Sequence, residues 1–142
     1  MRILGVDFGS RRIGLAISDE TGAIALAIGY IDGGNTDAVS REVARVAAER
    51  HAETIVVGLP VRLDGTSSRQ TERTLKFIAA LEEAATIPIK RWDERLTTAQ
   101  AERVLLEGNV RRQHRREKRD QVAAQILLQC YLDAQNPPTV EE

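Results

Sequence analysis

Four acidic residues carry most of the chemistry this sequence could perform: Asp7, the adjacent Asp93 and Glu94, and Asp120. Asp7 follows an apolar run, and on a strand Ile3, Gly5 and Asp7 share one face. A carboxylate there is costly to bury unpaired. Asp93 and Glu94 sit at the end of the fifth expected strand, in Trp92-Asp93-Glu94-Arg95-Leu96-Thr97. If that strand continues they point to opposite faces, so only one of them faces Asp7, and alternation alone does not choose which. Asp120 heads a helical pattern. At about 100° per residue, Ala123, Ala124, Leu127 and Tyr131 all lie within about 60° of it, which puts a charge in the middle of an apolar face. Each acid also has a structural alternative. Asp7 can cap the turn at 9–12 or pair with Arg11 or Arg12. One of Asp93 and Glu94 can charge the N-terminus of a helix starting at Thr97, and Asp120 is favoured in a first turn. The last alternative explains the turn but not the face.

Three carboxylate positions held by two strand ends and a helix suit a hard divalent cation, Mg²⁺ or Mn²⁺. Two such ions about 3.5–4 Å apart can activate water and stabilise the leaving oxygen of a phosphodiester. Zinc is excluded by the ligand supply: the single Cys130 and the two histidines, His51 and His114, have no zinc spacing.

The elements that must position these acids follow from periodicity. Strands are expected at 2–8, 13–18 and 23–31, joined by turns short enough for antiparallel neighbours. A helix over 36–50 follows, with Val39, Val43, Val46 and Ala47 at helical spacing, then a buried strand at 53–59. A second helix, about 68–84, should bury Leu75, Ile78, Leu81 and Ala85 or their neighbours, and a fifth strand runs from 89 to 92. A third helix starts at Thr97, where Thr97 and Gln100 have capping-box spacing, and ends near Gly108-Asn109. A last helix, about 116–134, should present Ala123, Ile126, Leu127, Cys130 and Tyr131. The order β-β-β-α-β-α-β-α-α implies an α/β fold, a five-stranded mixed sheet with helices on its faces.

The 142 residues allow one domain of about 135 residues with a loose tail at 136–142. No apolar run approaches the roughly 18–20 residues of a membrane span. No secretory signal is evident and one cysteine cannot pair internally, so a reducing, cytoplasmic setting is expected. The net charge of −1 argues superficially against a nucleic-acid partner. The charge is segregated, however. Residues 111–119 hold Arg111, Arg112, Arg115, Arg116, Lys118 and Arg119 against Glu117, a net of +5, so the remaining residues sum to −6. Cations so crowded repel one another unless an anion relieves them, and a phosphate backbone would do so. A solvated loop is the plainer alternative.

The motifs Val-Asp7-Phe-Gly9-Ser-Arg-Arg-Ile-Gly14-Leu-Ala16, Gly58-Leu-Pro60 with Asp64-Gly65, Asp93-Glu94-Arg95-Leu96-Thr97-Thr98, and Lys118-Arg119-Asp120-Gln-Val-Ala-Ala124 resemble the YqgF family, also called RuvX. The family is associated with pre-16S rRNA processing and with Holliday junction resolution. The resemblance runs from residue 2 to about 133. It departs mildly at the last motif, where the family commonly reads Asp-Ser-Leu-Ala-Ala. It implies an RNase H-like fold and a metal-dependent nuclease whose acidic positions are Asp7, Glu94 and Asp120. Asp93 is kept as a further support for the metal. Asp7 would bridge two ions, with Glu94 and Asp120 each supporting one and water as nucleophile. The partner implied is precursor rRNA or branched DNA, held by the basic segment and by Arg11 and Arg12 beside Asp7. The chain would act as a monomer or homodimer; a resolvase, cutting two symmetric strands, should be a dimer. A non-catalytic binding module is the rival class, and the intact acidic set argues against it. Asp7-Phe-Gly9 is also similar to the first phosphate loop of actin-like ATPases and sugar kinases. Those need two such halves, and the chain has room for one.

Overall fold

The computed structural model describes residues 1–62, 64–96 and 115–135, and of 96 and 115–121 the backbone only. The elements are β1 (Ile3–Phe8), β2 (Arg12–Ser18), β3 (Ala25–Asp32), α1 (Thr36–Glu49), β4 (Thr54–Leu59), α2 (Arg69–Ala84), β5 (Ile89–Asp93), a 3₁₀ turn (Glu94–Leu96) and α3 (Arg115–Gln135). The expected helix from Thr97 to Gly108, with its Thr97–Gln100 cap, lies outside the described residues.

The strands form one sheet in the order β3-β2-β1-β4-β5. β1, β2 and β3 pair antiparallel, as their short connections require. β4 joins β1 in parallel, and β5 joins β4 in parallel, because α1 and α2 return the chain to the same end each time. β1 is therefore central, and its C-terminal end lies beside that of β4.

Alternation divides the sheet into two unlike faces. Leu4, Val6, Ile13, Leu15, Ile17, Ile55 and Val57 form one core with Val39, Val43, Phe77, Ile78 and Leu81 of α1 and α2. Burying each such large side chain contributes roughly 1.5–3 kcal/mol. The other face mixes small residues, Gly5, Ala16 and Ala25, with Ile3, Val56 and Trp92, packed under Leu127, Leu128 and Leu132 of α3. A Cβ at Gly5 would come within 2.8 Å of Leu128 Cβ, so the helix rests almost on the β1 backbone. That contact sets the rotation of α3. Its buried residues are Ala124, Ile126, Leu127, Leu128 and Leu132, while Ala123, Cys130 and Tyr131 of the expected stripe are only half-buried.

α2 differs from expectation in the same way. Thr71, Thr74, Phe77, Ile78 and Leu81 are buried, and Leu75 is half-exposed. The polar members of that stripe are explained by their bonds. Ser68 and Thr71 form a reciprocal capping box, the Thr71 hydroxyl also donates to Pro60 O, and Thr74 Oγ1 donates to Gln70 O at 2.8 Å. Gln70 Nε2 donates to Phe8 O at 2.8 Å. The first turn of α2 is thereby fastened to the ends of both β1 and β4, the two strands that frame the site.

Candidate active site

Asp7 is the next-to-last residue of β1 and pairs with Gly14 of β2. By alternation it shares with Gly5 the face covered by α3. Asp93 ends β5 opposite Leu59. The chain then leaves the extended conformation, and the reason is local. The Asp93 carboxylate accepts from the Arg95 amide at 2.9 Å and from Arg95 Nε at 3.1 and 2.9 Å. This is an Asx-type turn reinforced by an ion pair. Hydrogen bonds and charge from Arg95 hold Asp93 below the ordinary carboxylate range.

The turn sends Glu94 the other way. Its carboxyl is largely buried and hydrogen-bonded to that of Asp7. Two strand spacings, about 9–10 Å, separate β5 from β1, so Glu94 must cross β4 to get there. It crosses at Gly58. A Cβ on Gly58 would stand 2.5 Å from Glu94 Oε1 and would collide with Leu127 Cδ1. The missing side chain is thus the passage through which the two acids meet under α3. Gly58→Ala would have to displace both groups. It is expected to cost about 1–3 kcal/mol, read as a lower denaturant midpoint with an unchanged m-value.

The electrostatics of the pair are unfavourable in isolation. Burial first, then the neighbouring Asp7 charge and the hydrogen bond with Asp7, and last Asp93, push the Glu94 carboxyl up to about 9. Like charges so placed cannot both ionise without a compensating cation. A carboxyl pair kept at this cost is a site candidate on physical grounds.

The structure therefore brings Asp7 and Glu94 together and directs Asp93 to Arg95. Asp120 lies on α3, one turn before Ala124 and on the same helical face as Leu127; its side chain is outside the described residues. The side chains of Arg115, Arg116, Lys118 and Arg119 are outside them too, as are Arg111, Arg112 and His114 altogether. Among the described residues no group of three or more His, Cys, Asp or Glu is placed to hold a metal ion. Arg11 is exposed in the β1–β2 turn, and the Arg12 guanidinium lies over the Tyr30 ring at 5.0 Å. No helix among the described residues is long and apolar enough to cross a membrane.

Two parts of this end of the sheet were not anticipated as site residues. Gly58 is one; in sequence it looks like the close of a strand. The other is the loop at 64–66. Asp64 accepts from the Thr66 hydroxyl and amide at 2.7 and 2.9 Å, and these bonds first, with the Arg95 charge last, hold its carboxyl below the ordinary range. The position of a Cβ on Gly65 would be 3.6 Å from Arg95 Nη1. The hint in the sequence is that Gly58-Leu-Pro60 with Asp64-Gly65 and the Asp-Glu-Arg run are both among the motifs that carry the family resemblance.

Comparison with known proteins adds to this geometry. The profile of the RuvX family, described as Holliday junction resolvase, matches residues 1–134. A protein of Myxococcus xanthus named "Putative pre-16S rRNA nuclease" is 40% identical over 141 residues, 99% of this chain and 93% of its own length. One of Halothermothrix orenii with the same name is 42% identical over 136 residues, covering 96% and 97%. Among solved structures, RuvC of T. thermophilus in complex with a Holliday junction substrate superposes with a TM-score of 0.58 at 19% identity, covering 96% of each chain. The Fowlpox virus resolvase, in complex with Holliday junction DNA, does so with a TM-score of 0.57 at 17% identity, covering 95% and 99%. At these identities the likeness is one of fold, the RNase H-like α/β fold expected from the sequence.

Proposed function

The chain belongs to the RuvX family, and on that premise we propose that it is a divalent-metal-dependent nuclease that processes the 5′ end of precursor 16S rRNA. The observation that carries the reading is the meeting of Glu94 with Asp7 across Gly58. A protein has little reason to hold two carboxyls against their own repulsion unless a cation joins them.

The donor set fits a hard divalent ion: it is anionic and consists only of oxygen. Asp7, Glu94 and, from α3, Asp120 are the residues that would hold it. A cation bound there supplies Lewis-acid charge and lowers the pKa of water. The chain's own part is placement. Asp7 is fixed by the β1–β2 ladder, and Glu94 is held by the Asp93–Arg95 turn behind it. Leu127 and the sheet face under α3 limit water on the helix side. Asp93 supports the site through Arg95 rather than as a ligand. Arg111, Arg112, Arg115, Arg116, Lys118 and Arg119 would hold the phosphate backbone, with Arg11 and Arg12 contributing from the β1–β2 turn.

The description attached to the family favours a second substrate, the four-way DNA junction. Both are tested by one experiment: cleavage of precursor 16S rRNA and of a four-way junction, side by side, in Mg²⁺ or Mn²⁺ and in chelator. The expected result is cation-dependent cleavage of the precursor near its 5′ end, with little cutting of the junction. Symmetric junction cleavage by a dimer would transfer the reading to resolution. Cleavage in chelator would remove the metal mechanism altogether.

A further inference from the structure

On the opposite face of the same strand end lies a cleft of about 250 Å³, lined by Phe8, Gly9, Ser10, Gly33, Arg73 and Lys76 among others. Its lining includes two cations and no carboxylate. Among the described residues neither Arg73 nor Lys76 is in an ion pair, whereas Arg2, Arg45 and Arg95 all are. Arg73 is also oriented. Phe8 O holds Gln70, Gln70 Oε1 accepts from Arg73 Nη1 at 3.2 Å, and the guanidinium lies 5.9 Å from the centre of the Phe8 ring. The ring is itself stacked on Phe77 at 4.4 Å.

We infer that this cleft is a second phosphate site, which takes a backbone phosphate of the nucleic-acid strand whose scissile phosphate lies at Asp7. The inference rests on the nuclease reading above for the identity of the strand; the cleft itself stands on its own residues. Three observations carry it. Uncompensated cations converge on a concave surface, where their field is focused on an anion. The volume, at about 30 Å³ per water, holds a phosphate with part of its sugar. And the cleft begins at Phe8 and Gly9, immediately after Asp7. The backbone from Asp7 to Gly9 spans at most about 7 Å, so the mouth of the cleft and Asp7 lie at the same end of β1, on its two faces. A strand crossing the tip of β1 can therefore touch both faces. Arg11 and Arg12 do not line this cleft, although sequence proximity to Asp7 favoured them. The sequence signal for Arg73 was the spacing of three from Gln70, which puts both on one edge of α2.

The test measures binding, with cleavage silenced. In an Asp7→Asn background without divalent metal, a short fluorescein-labelled single-stranded RNA is titrated at salt concentrations between about 50 and 200 mM. Arg73→Ala/Lys76→Ala is expected to weaken binding about tenfold and to make the salt slope shallower by about 1–2. Arg73→Lys/Lys76→Arg should keep most of both. If the alanine pair folds poorly, Lys76→Ala alone, at an exposed position, should still reduce the slope by about 0.7. Unchanged affinity and slope in the alanine variants would overturn the inference. So would saturable binding of inorganic phosphate that the alanine pair abolishes while RNA affinity stays the same, because the cleft would then serve free phosphate. Failure of the nuclease reading looks different: no cleavage of precursor rRNA or of the four-way junction by the parent protein in Mg²⁺ or Mn²⁺, whatever these variants do to binding.

Discussion

Asp7→Asn is expected to reduce cleavage by at least about 10²–10³-fold, the scale seen when one preorganised charge-stabilising group is lost, and to raise the thermal midpoint as it does so. The substitution keeps the shape and removes one charge. Among the described residues, Glu94 then faces a neutral amide instead of a carboxylate; burial, the largest cause of its raised pKa, stays, and the Asp7 charge, the next, is removed. Nucleic-acid binding should persist, since the residues proposed to hold the backbone are untouched. The combination separates chemistry from folding. An inactive, less stable variant would point to a structural Asp7, and an active one would sink the metal mechanism.

Glu94→Gln should remove a pH dependence that the parent protein carries. The sign follows from the direction of the shift. Glu94 binds its proton more tightly in the folded state, at about 9, than in the unfolded chain, at about 4.5. Its contribution to stability is thus fully present below about pH 4.5 and declines as pH rises toward 9. In chelator the parent should lose stability across that window, on the order of 1–2 kcal/mol once partial solvent screening is allowed for. For a chain of this size that is about 3–6 °C in midpoint. Glutamine cannot ionise, so the variant should lack the decline and be the more stable of the two at pH 8. Mg²⁺ or Mn²⁺ should reverse the order, stabilising the parent most at high pH, where the ligands are already deprotonated. Parallel midpoint-against-pH curves for the two proteins would show that the Asp7–Glu94 pair is not electrostatically loaded.

Much of this site was legible in sequence, and the exceptions share a cause. Asp7 was visible because a charge after an apolar strand has few innocent explanations. The division of labour between Asp93 and Glu94 was not. Alternation applies only while a strand lasts, and β5 ends at Asp93 in a turn made by Arg95. α3 was found within a residue at each end, yet its buried stripe was misdrawn. The run Ile126-Leu127-Leu128 allows more than one apolar line, and the choice is made by Gly5, more than a hundred positions earlier. α2 was placed within a residue at its start with Ile78 and Leu81 rightly buried, but Thr71 and Thr74 were missed for the opposite reason: they look polar and have their hydroxyls satisfied internally. Gly58 was visible as part of a motif but not as a site residue, and Arg73 escaped notice, because the role of each comes only from a neighbour that folding brings to it.

The fastening of α3 to the sheet edge has a consequence for dynamics. Gln129 Oε1 accepts from the Ala25 amide at 2.9 Å, Gln125 Nε2 donates to Ala25 O at 3.1 Å, and Gln129 Nε2 donates to Ala23 O at 2.9 Å. Two side chains of the helix thus complete the backbone bonding at the start of β3, an edge strand. Local opening of α3 must release the Ala25 amide to solvent. The hydrogen-exchange rate of that one amide is therefore a clock for the helix that carries Asp120, ticking at the far edge of the sheet and readable without substrate, metal or turnover.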